Sequence, residues 1–123
     1  MIEVACGVMY NNDNKILMGK RMSDNENYPN KWEFPGGQKE DNENIYECLE
    51  REWMEELNIH IEIEKEIHQS TQDDRFLCRF FVGKIIDECE LHQNDHDEIL
   101  FLQKEEIYAL DLFDGDKLVL DKL

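Results

Sequence analysis

The sequence predicts an α+β domain in which one long helix and a shorter C-terminal helix accompany a mixed β-sheet. Residues 42–58 contain neither Pro nor Gly and are rich in good helix formers, which predicts the long helix. Residues 59–64 alternate strictly between apolar and polar, which predicts a strand. A chain of 123 residues is long enough for one hydrophobic core, so we expect a single domain over residues 1–123.

The other elements follow from apolar segments and the polar turns between them. In chain order we expect strands at residues 2–10, 15–21, 32–34, 75–86 and 99–102, loops at 23–30 and 88–98, and helices at 103–110 and 114–123. The first two strands form a predicted hairpin, and the third leads into a Gly36-Gly37 turn. In the last helix, Leu118, Val119 and Leu120 are predicted to face inward.

The composition argues against several kinds of partner. Thirty acidic residues against thirteen basic ones give a net charge of −17, which opposes unaided binding to nucleic acid or to an anionic membrane. Any polyphosphate substrate would therefore arrive with metal ions. No segment approaches the roughly 20 apolar residues of a membrane span, and the N-terminus lacks the features of a signal peptide. We expect a cytoplasmic protein, either a monomer or a homodimer.

The cysteines and histidines form no clear metal or disulfide pattern. The four cysteines have no C-x-x-C spacing, which favours reduced and mostly buried thiols: Cys6, Cys48, Cys78 and Cys89. His92 and His96 are four residues apart, but their segment lacks apolar periodicity, which argues against a shared metal. His60 and His68 are predicted to be ordinary strand residues.

The apolar stripe of the long predicted helix continues into carboxylates. At about 100° per residue, three glutamates share its arc: Glu52, Glu55 and Glu56. One interpretation is a solvated acidic face. The other is a site for a divalent cation, because like charges at this spacing repel and carboxylate oxygens suit Mg²⁺ or Mn²⁺. The loop before the helix, Trp32-Glu-Phe-Pro-Gly-Gly37, resembles a phosphate site and favours the cation.

Residues 37–59 resemble the signature of the Nudix hydrolases. Written as G-x5-E-x7-R-E-U-x-E-E-x-G-U, with U an apolar residue, the signature aligns without a gap at Gly37, Glu43, Arg51, Glu52, Glu55, Glu56 and Ile59. Two positions depart from it. Trp53 is larger than the usual aliphatic residue and needs more room in the core, and Asn58 replaces the glycine that ends the helix. Asn is the next-best residue for a left-handed C-cap.

The resemblance covers essentially the whole chain and implies the Nudix α/β/α sandwich, a curved mixed sheet between helices. It implies that the three helix glutamates hold Mg²⁺, or Mn²⁺, together with the carbonyl of Gly37. Arg51 is better placed to orient Glu55 than to touch substrate, and Glu43 is expected to be structural.

A further ligand or base is implied at Glu98, just before the strand at residues 99–102. The alternative is that Glu98 is one loop acid among several. Whether Glu52 or Glu98 takes the proton stays open.

Nucleotide contacts are implied at four more positions: Arg21, Phe34, Arg75 and Asp116. Surface salt bridges are the alternative for the two arginines, and core packing is the alternative for Phe34 and for the other candidate stacking residues, Tyr28 and Phe80. Asp116 would read base donors, or else Asp116 or Asp114 would cap the final helix.

The residues at positions 31–37 are similar to the MutT-type branch, which hydrolyses nucleoside triphosphates. The sequence therefore predicts a Mg²⁺-dependent nucleoside triphosphate pyrophosphohydrolase that releases NMP and pyrophosphate. An oxidised purine such as 8-oxo-dGTP, or a cytidine triphosphate, is the expected substrate. Alternatives are a dinucleoside polyphosphate, a nucleotide sugar or capped RNA, the last disfavoured by the negative charge. A non-catalytic binding module is disfavoured because all three helix glutamates are present.

Overall fold

A computed structural model describes residues 1–88 and 90–123 and has the α+β class that the sequence predicts. The strands are β1 Ile2–Tyr10, β2 Ile16–Arg21, β3 Trp32–Glu33, β4 Gly36–Gln38, β5 Ile59–Gln72, β6 Phe76–Glu88 and β7 His96–Leu102. The helices are α1 Ile45–Leu57, α2 Lys104–Ile107 and α3 Asp114–Leu120. Within the described residues, no helix is long and apolar enough to cross a membrane.

The strands form one mixed sheet with β1 in its middle. The order is β3-β2-β1-β6-β5, and β7 pairs with the other edge of β2. Strands β1 and β6 run parallel, from Ile2 opposite Phe76 to Tyr10 opposite Lys84, whereas the other pairs are antiparallel. The parallel pair in an otherwise antiparallel sheet makes the sheet mixed, as predicted.

The predicted hairpin of β1 and β2 separates after one pair, Tyr10 opposite Ile16. Beyond that pair, β4 occupies the edge of β1, with Ala5 opposite Gly37. The sequence predicted only a turn at Gly36-Gly37, so β4 was missed. Two glycines carry little strand propensity, and the pairing with β1 is what makes this segment a strand. It places Gly37 directly beside α1.

Helix α1 begins three residues later than predicted and has well-formed caps. The Asn44 side chain accepts from the Glu47 N–H, and the Glu47 side chain accepts from the Asn44 N–H, at 2.9 Å in both directions. This capping box explains why the helix begins at Ile45. At the other end Asn58 has φ 57°, so the predicted left-handed Asn cap is confirmed.

Two apolar clusters cover the two faces of the sheet. Helix α1 packs on one face through Leu49, Trp53 and Leu57, and α3 packs on the other through Val119 and Leu120. Burial of these apolar surfaces holds the helices on the sheet.

The larger aromatic in the signature helix fits because its surroundings make room. Trp53 is fully buried, and its indole N–H donates to the Pro35 carbonyl at 2.9 Å. A Cβ on Gly7 would lie 2.8 Å from the Trp53 Nε1, so the absence of a side chain at Gly7 supplies the space.

Three other predictions need correction. Strand β5 continues to Gln72 instead of ending near residue 64, because β6 pairs with it along its whole length. Strand β7 begins at His96 instead of at Ile99, because its first residues pair with the end of β2. Leu118 is 53% exposed, so its predicted inward position is wrong. It follows buried Asp116 by two residues, about 200° around the helix.

Candidate active site

A cavity of about 670 Å³ brings together residues from distant parts of the chain. We call the part lined by Gly37, Glu56 and Asp95 the carboxylate side. The part lined by Tyr28, Phe34, Phe113 and Asp116 is called the aromatic side. The predicted residues Arg21 and Arg75 also line this cavity. The fold therefore collects most of the predicted site residues around one space.

On the carboxylate side, α1 and β4 are in close contact. A Cβ on Gly37 would lie 2.3 Å from the Glu52 carboxyl carbon, so only glycine fits there. The Gly37 carbonyl accepts from the Cys48 thiol at 3.5 Å. The signature glycine thus allows a backbone carbonyl and a helix carboxylate to approach each other.

Arg51 connects the signature carboxylates. Its guanidinium forms a two-bond pair with Glu43, at 2.9 and 2.8 Å, and its Nη1 donates to Glu52 at 2.9 Å and to Glu55 at 3.1 Å. A fourth partner is the Gln38 carbonyl at 3.3 Å. The hydrogen bonds from Arg51 lower the pKa of Glu43 to about 2. The geometry fits the predicted orienting role of Arg51 and the structural role of Glu43.

Glu56 is the most unusual of the helix carboxylates. It is only 8% exposed, and its Oε2 is buried without a hydrogen-bond partner among the described residues. Burial, followed by the negative fields of Glu52, Glu33 and Asp95, raises its pKa to about 10. Burial also raises the pKa of Glu52, which Arg51 opposes. Neighbouring buried carboxylates with an unpartnered oxygen are the donor set that a hard divalent cation fits.

Glu55 does not share this burial. Its side chain is 60% exposed and contacts Arg51, so the buried arc includes Glu56 and, in part, Glu52. Among the described residues, no three carboxylate, imidazole or thiol groups are already arranged as metal ligands. Arg51 donates to one oxygen of Glu52 and to one oxygen of Glu55, so each of these two carboxylates has one oxygen that Arg51 does not bind.

Glu98 lies inside β7 opposite Lys20, with an exposed side chain. Among the described residues that line the cavity, the β7 approach contributes Asp95 and not Glu98. The segment before β7 is held to the end of α1, because the Asn94 amide donates to the Glu55 carbonyl at 3.0 Å and the His92 N–H donates to the Leu57 carbonyl at 2.9 Å. The role of Glu98 stays a prediction, and Asp95 becomes a second candidate for it.

One wall of the cavity contains a hydrogen-bonded chain of three side chains that the sequence did not predict. His96 is buried, and its Nε2 lies 2.8 Å from Glu33, whose other oxygen accepts from Arg21 at 3.1 Å. A Cβ on Gly19 would overlap the His96 ring. His96 therefore binds a carboxylate, while His92 is exposed. In the sequence, the only signal for the contact between His96 and Glu33 was the position of Glu33 within the loop motif at residues 32–37.

Arg21 has further contacts besides Glu33. Its Nε donates to the Asn27 carbonyl at 3.1 Å, and its guanidinium lies 5.7 Å from the Phe113 ring centroid. Arg75 is exposed and lies 5.1 Å from the Phe76 ring centroid. Arg21 thus forms a salt bridge, which was the alternative to a nucleotide contact. It also lines the cavity, where a nucleotide contact is expected.

Asp116 is a buried acid on the aromatic side. It is 6% exposed, and its Oδ2 accepts from the Phe34 N–H at 3.3 Å. Burial, followed by the charge of Glu33, raises its pKa well above the usual range. The N-cap of α3 is Phe113, so neither Asp114 nor Asp116 caps the helix. Asp116 instead lies within α3 and lines the cavity.

The candidate stacking residues separate into two groups. Tyr28 and Phe34 line the cavity, although Phe34 is itself buried, and buried Phe80 packs edge-to-face against Phe34 at 6.4 Å without lining the cavity. Phe80 is therefore a core residue.

The predicted reduced thiols are confirmed for Cys6, Cys48 and Cys78, which are free. Cys6 and Cys78 also line the cavity, where a hydrogen bond between them raises the pKa of Cys6 and lowers that of Cys78. The fourth cysteine, Cys89, lies outside the described residues.

Comparison with known proteins matches this chain to one family. The NUDIX domain model matches residues 2–123. The search of curated proteins gives no significant match.

Solved structures agree with the family match. The E. coli ORF135 protein is 25% identical, with a TM-score of 0.79 over 98% of this chain and 86% of that one. A MutT structure, from work on the Aliivibrio salmonicida and Vibrio cholerae proteins, is 20% identical, with a TM-score of 0.82 over 98% and 94%. A C. elegans Ap4A hydrolase is 16% identical, with a TM-score of 0.80 over 97% and 93%.

The chain therefore belongs to the Nudix family, and it is a Nudix hydrolase that acts on pyrophosphate bonds. The predicted family and its sandwich of helices around a mixed sheet are confirmed. Nudix hydrolases generally require a divalent metal ion and act on small nucleotide substrates.

Proposed function

We propose that this Nudix hydrolase is a Mg²⁺-dependent nucleoside triphosphate pyrophosphohydrolase that releases NMP and pyrophosphate. The observation that carries the proposal is the cavity itself. One space has a buried carboxylate with an unpartnered oxygen, Glu56, on one side and an aromatic-lined, buried acid on the other. A nucleoside triphosphate has matching parts, a polyphosphate that arrives with cations and a base. The proposal treats residues 1–123 as one catalytic domain acting in the cytoplasm.

On the carboxylate side, Glu52, Glu55, Glu56 and the Gly37 carbonyl would hold Mg²⁺, with Mn²⁺ as a substitute. The bound ion would neutralise phosphate charge and make water a better nucleophile. Arg51 would keep two of the glutamates oriented through its hydrogen bonds. The base that accepts the proton from water would be Glu52 or a carboxylate from the β7 approach, Glu98 or Asp95.

On the aromatic side, Phe34 would contact the base and Asp116 would read its edge. Burial raises the pKa of Asp116 well above its usual range, which favours the neutral carboxyl, a group that can donate as well as accept. A neutral acid pairs with a base edge that offers a donor beside an acceptor. Both 8-oxo-dGTP and a cytidine triphosphate offer such an edge, and removal of 8-oxo-dGTP would make the protein a nucleotide-pool sanitiser. Arg21 and Arg75 would contact the nucleotide from the cavity wall.

A dinucleoside polyphosphate is the second candidate substrate. The observation that favours it is the similarity to the C. elegans Ap4A hydrolase, whose TM-score of 0.80 is close to that of the MutT structure at 0.82. Both substrates carry the same pyrophosphate linkage, so the carboxylate side serves either one.

The test is pyrophosphate and nucleotide release with Mg²⁺ across 8-oxo-dGTP, dGTP, CTP, dCTP and a diadenosine polyphosphate. Glu55→Gln serves as the inactive blank. Turnover of one triphosphate that is absent in the blank would support the proposal and name the base. Activity on the dinucleotide alone would replace it with the second candidate. In the same assay, Asp95→Asn and Glu98→Gln compare the two carboxylates, and we expect the larger loss for Asp95, which lines the cavity.

A further inference from the structure

Residues 22–30, which we call the Tyr28 loop, form part of the cavity boundary. The loop is attached to the sheet near its start, where the Ser23 N–H donates to Asp97 at 2.9 Å. Arg21 holds its middle through the Asn27 carbonyl at 3.1 Å. Asn25, Asn27 and Tyr28 from this loop all line the cavity.

The far part of the Tyr28 loop is joined to a turn from a different part of the sheet. The Tyr28 hydroxyl lies 2.8 and 2.9 Å from the two carboxylate oxygens of Asp73, in the turn between β5 and β6. Asp73 also lines the cavity. The Tyr28 ring packs edge-to-face on Phe113 at 5.2 Å. One hydrogen-bonded pair therefore joins two walls of the cavity.

The two partners differ in rigidity. Asp73 and Asp74 have φ 56° and 52°, and the Arg75 N–H donates to the Gln72 carbonyl at 3.1 Å, which is the pattern of a tight hairpin turn between paired strands. Asp73 is thus held by the sheet. Tyr28 has φ 55° in an irregular loop. That conformation is costly for an aromatic residue unless its surroundings hold it.

The surroundings that hold Tyr28 are the Asp73 carboxylate and the Phe113 ring. The Tyr28 phenol is the donor in this contact, and the hydrogen bond to Asp73 raises its pKa. The nearest backbone pairing of the loop is the Asn30 N–H with the Arg21 carbonyl at 3.2 Å, so when the contact with Asp73 breaks, the left-handed backbone of Tyr28 can relax. The movable side of the contact is therefore the loop, and the fixed side is the turn.

We propose that Tyr28 is a positioning residue whose hydrogen bond to Asp73 holds the Tyr28 loop closed over the cavity and so limits how fast a nucleotide enters and leaves. The identity of the ligand rests on the proposed function. The closure of the loop does not, because it is a property of the protein without ligand. The two parts can therefore fail separately.

The first experiment measures amide hydrogen exchange of the protein without nucleotide. Tyr28→Phe removes the hydroxyl and keeps the ring against Phe113. Tyr108→Phe is the matched control, because the Tyr108 hydroxyl also donates to an exposed carboxylate, Asp121 at 2.9 Å, but does not line the cavity. We expect exchange within residues 22–30 to accelerate at least threefold in Tyr28→Phe and to stay unchanged in Tyr108→Phe.

The second experiment measures stopped-flow binding of a fluorescent dGTP analogue with Mg²⁺ in the Glu55→Gln background, which prevents turnover. We expect Tyr28→Phe and Asp73→Ala to raise the association and dissociation rate constants together, about three- to tenfold. Asp73→Asn keeps an acceptor and should restore part of the wild-type rates.

Unchanged exchange in Tyr28→Phe would overturn the proposal. A faster dissociation with unchanged association would also overturn it, because that result describes a direct substrate contact. If the analogue binds neither these variants nor the wild-type protein while exchange accelerates as expected, the nucleotide assignment fails and the closure of the loop stands.

Discussion

Glu56 and Asp116 are two buried acids that line the same cavity in different surroundings. Burial is the first cause of a raised pKa at both. Around Glu56 the next causes are other carboxylates, and its Oε2 has no partner among the described residues. At Asp116 the next cause is one carboxylate, Glu33, and one of its oxygens accepts from the Phe34 N–H.

The difference indicates two uses for a similar perturbation. A carboxylate surrounded by carboxylates gains most from a cation, which would relieve the repulsion and return the acid to its ionised form. At Asp116 burial and the single nearby charge of Glu33 outweigh the Phe34 N–H, which lowers the pKa, so the neutral form that donates and accepts is favoured. The surroundings of a shifted acid, more than the shift itself, distinguish a metal ligand from a base-reading group.

The largest expected effect is that of Glu56→Gln. Losing a metal-side carboxylate should lower kcat by about a hundredfold or more. Without metal, the variant should be more stable than wild type near neutral pH, because its folding no longer requires the protonation of a buried acid. Mg²⁺ should stabilise the wild-type protein by about 2.7 kcal/mol at a hundredfold excess over Kd. It should stabilise Glu56→Gln much less. Thermal unfolding with and without Mg²⁺ measures this.

Glu50→Gln is the matched control for Glu56, with the same charge change on an exposed position of α1. It should alter neither activity nor the Mg²⁺ response. If Glu56→Gln keeps the full stabilisation by Mg²⁺, Glu56 is not a ligand and the contrast with Asp116 disappears.

The second-largest expected effect is that of Arg51→Lys, which changes the hydrogen bonds among the charged groups on the carboxylate side and leaves the aromatic side unchanged. Arg51→Lys loses the planar fork that binds Glu43 and reaches Glu52, so we expect about a tenfold loss of kcat and about 1 kcal/mol of stability. Arg79→Lys is the comparison, since Arg79 makes a similar pair with Glu66 at 2.7 and 3.0 Å. Arg79→Lys should lose a similar amount of stability and keep full activity. If Arg51→Lys and Arg79→Lys lose equal activity, the role of Arg51 is purely structural.

The smallest effect on activity should be that of Asp116→Asn. An amide donates and accepts as a neutral acid does, so activity should stay within about threefold, whereas Asp116→Ala should lose about tenfold or more. A large loss in Asp116→Asn together with Asp116→Ala would show that the ionised carboxylate is needed. That outcome would make the two buried acids alike.

The pH dependence of stability follows from the same shift. The folded-state pKa of Asp116 lies above its unfolded value, so the folded state holds a proton that the unfolded chain releases. The contribution of Asp116 to the free energy of unfolding is therefore fully present below about pH 4. It falls as the pH rises toward the folded-state pKa of Asp116, by up to about 1.4 kcal/mol per pH unit.

Asp116→Asn should remove this pH dependence and be more stable than wild type at pH 7. Urea unfolding at pH 5 and pH 7 measures the difference. Asp114→Asn, on a fully exposed side chain of the same helix, should show none.

The sequence by itself determined the family, the signature helix and its Asn cap. These features depend on local spacing, because the positions of the helix, its caps and the Gly37-to-Ile59 motif are all set within a few turns of chain. The confirmed α+β class has the same origin, since strict alternation and uninterrupted helix formers are local signals.

Tertiary structure alone decided what meets across the cavity. Strand β4 is a strand because β1 pairs with it, and β7 begins at His96 because β2 extends to meet it. The contacts of Glu33 with His96 and of Tyr28 with Asp73 join residues 63 and 45 positions apart. Strand pairing and burial bring such residues together, and no local period in the sequence records which residues will face each other.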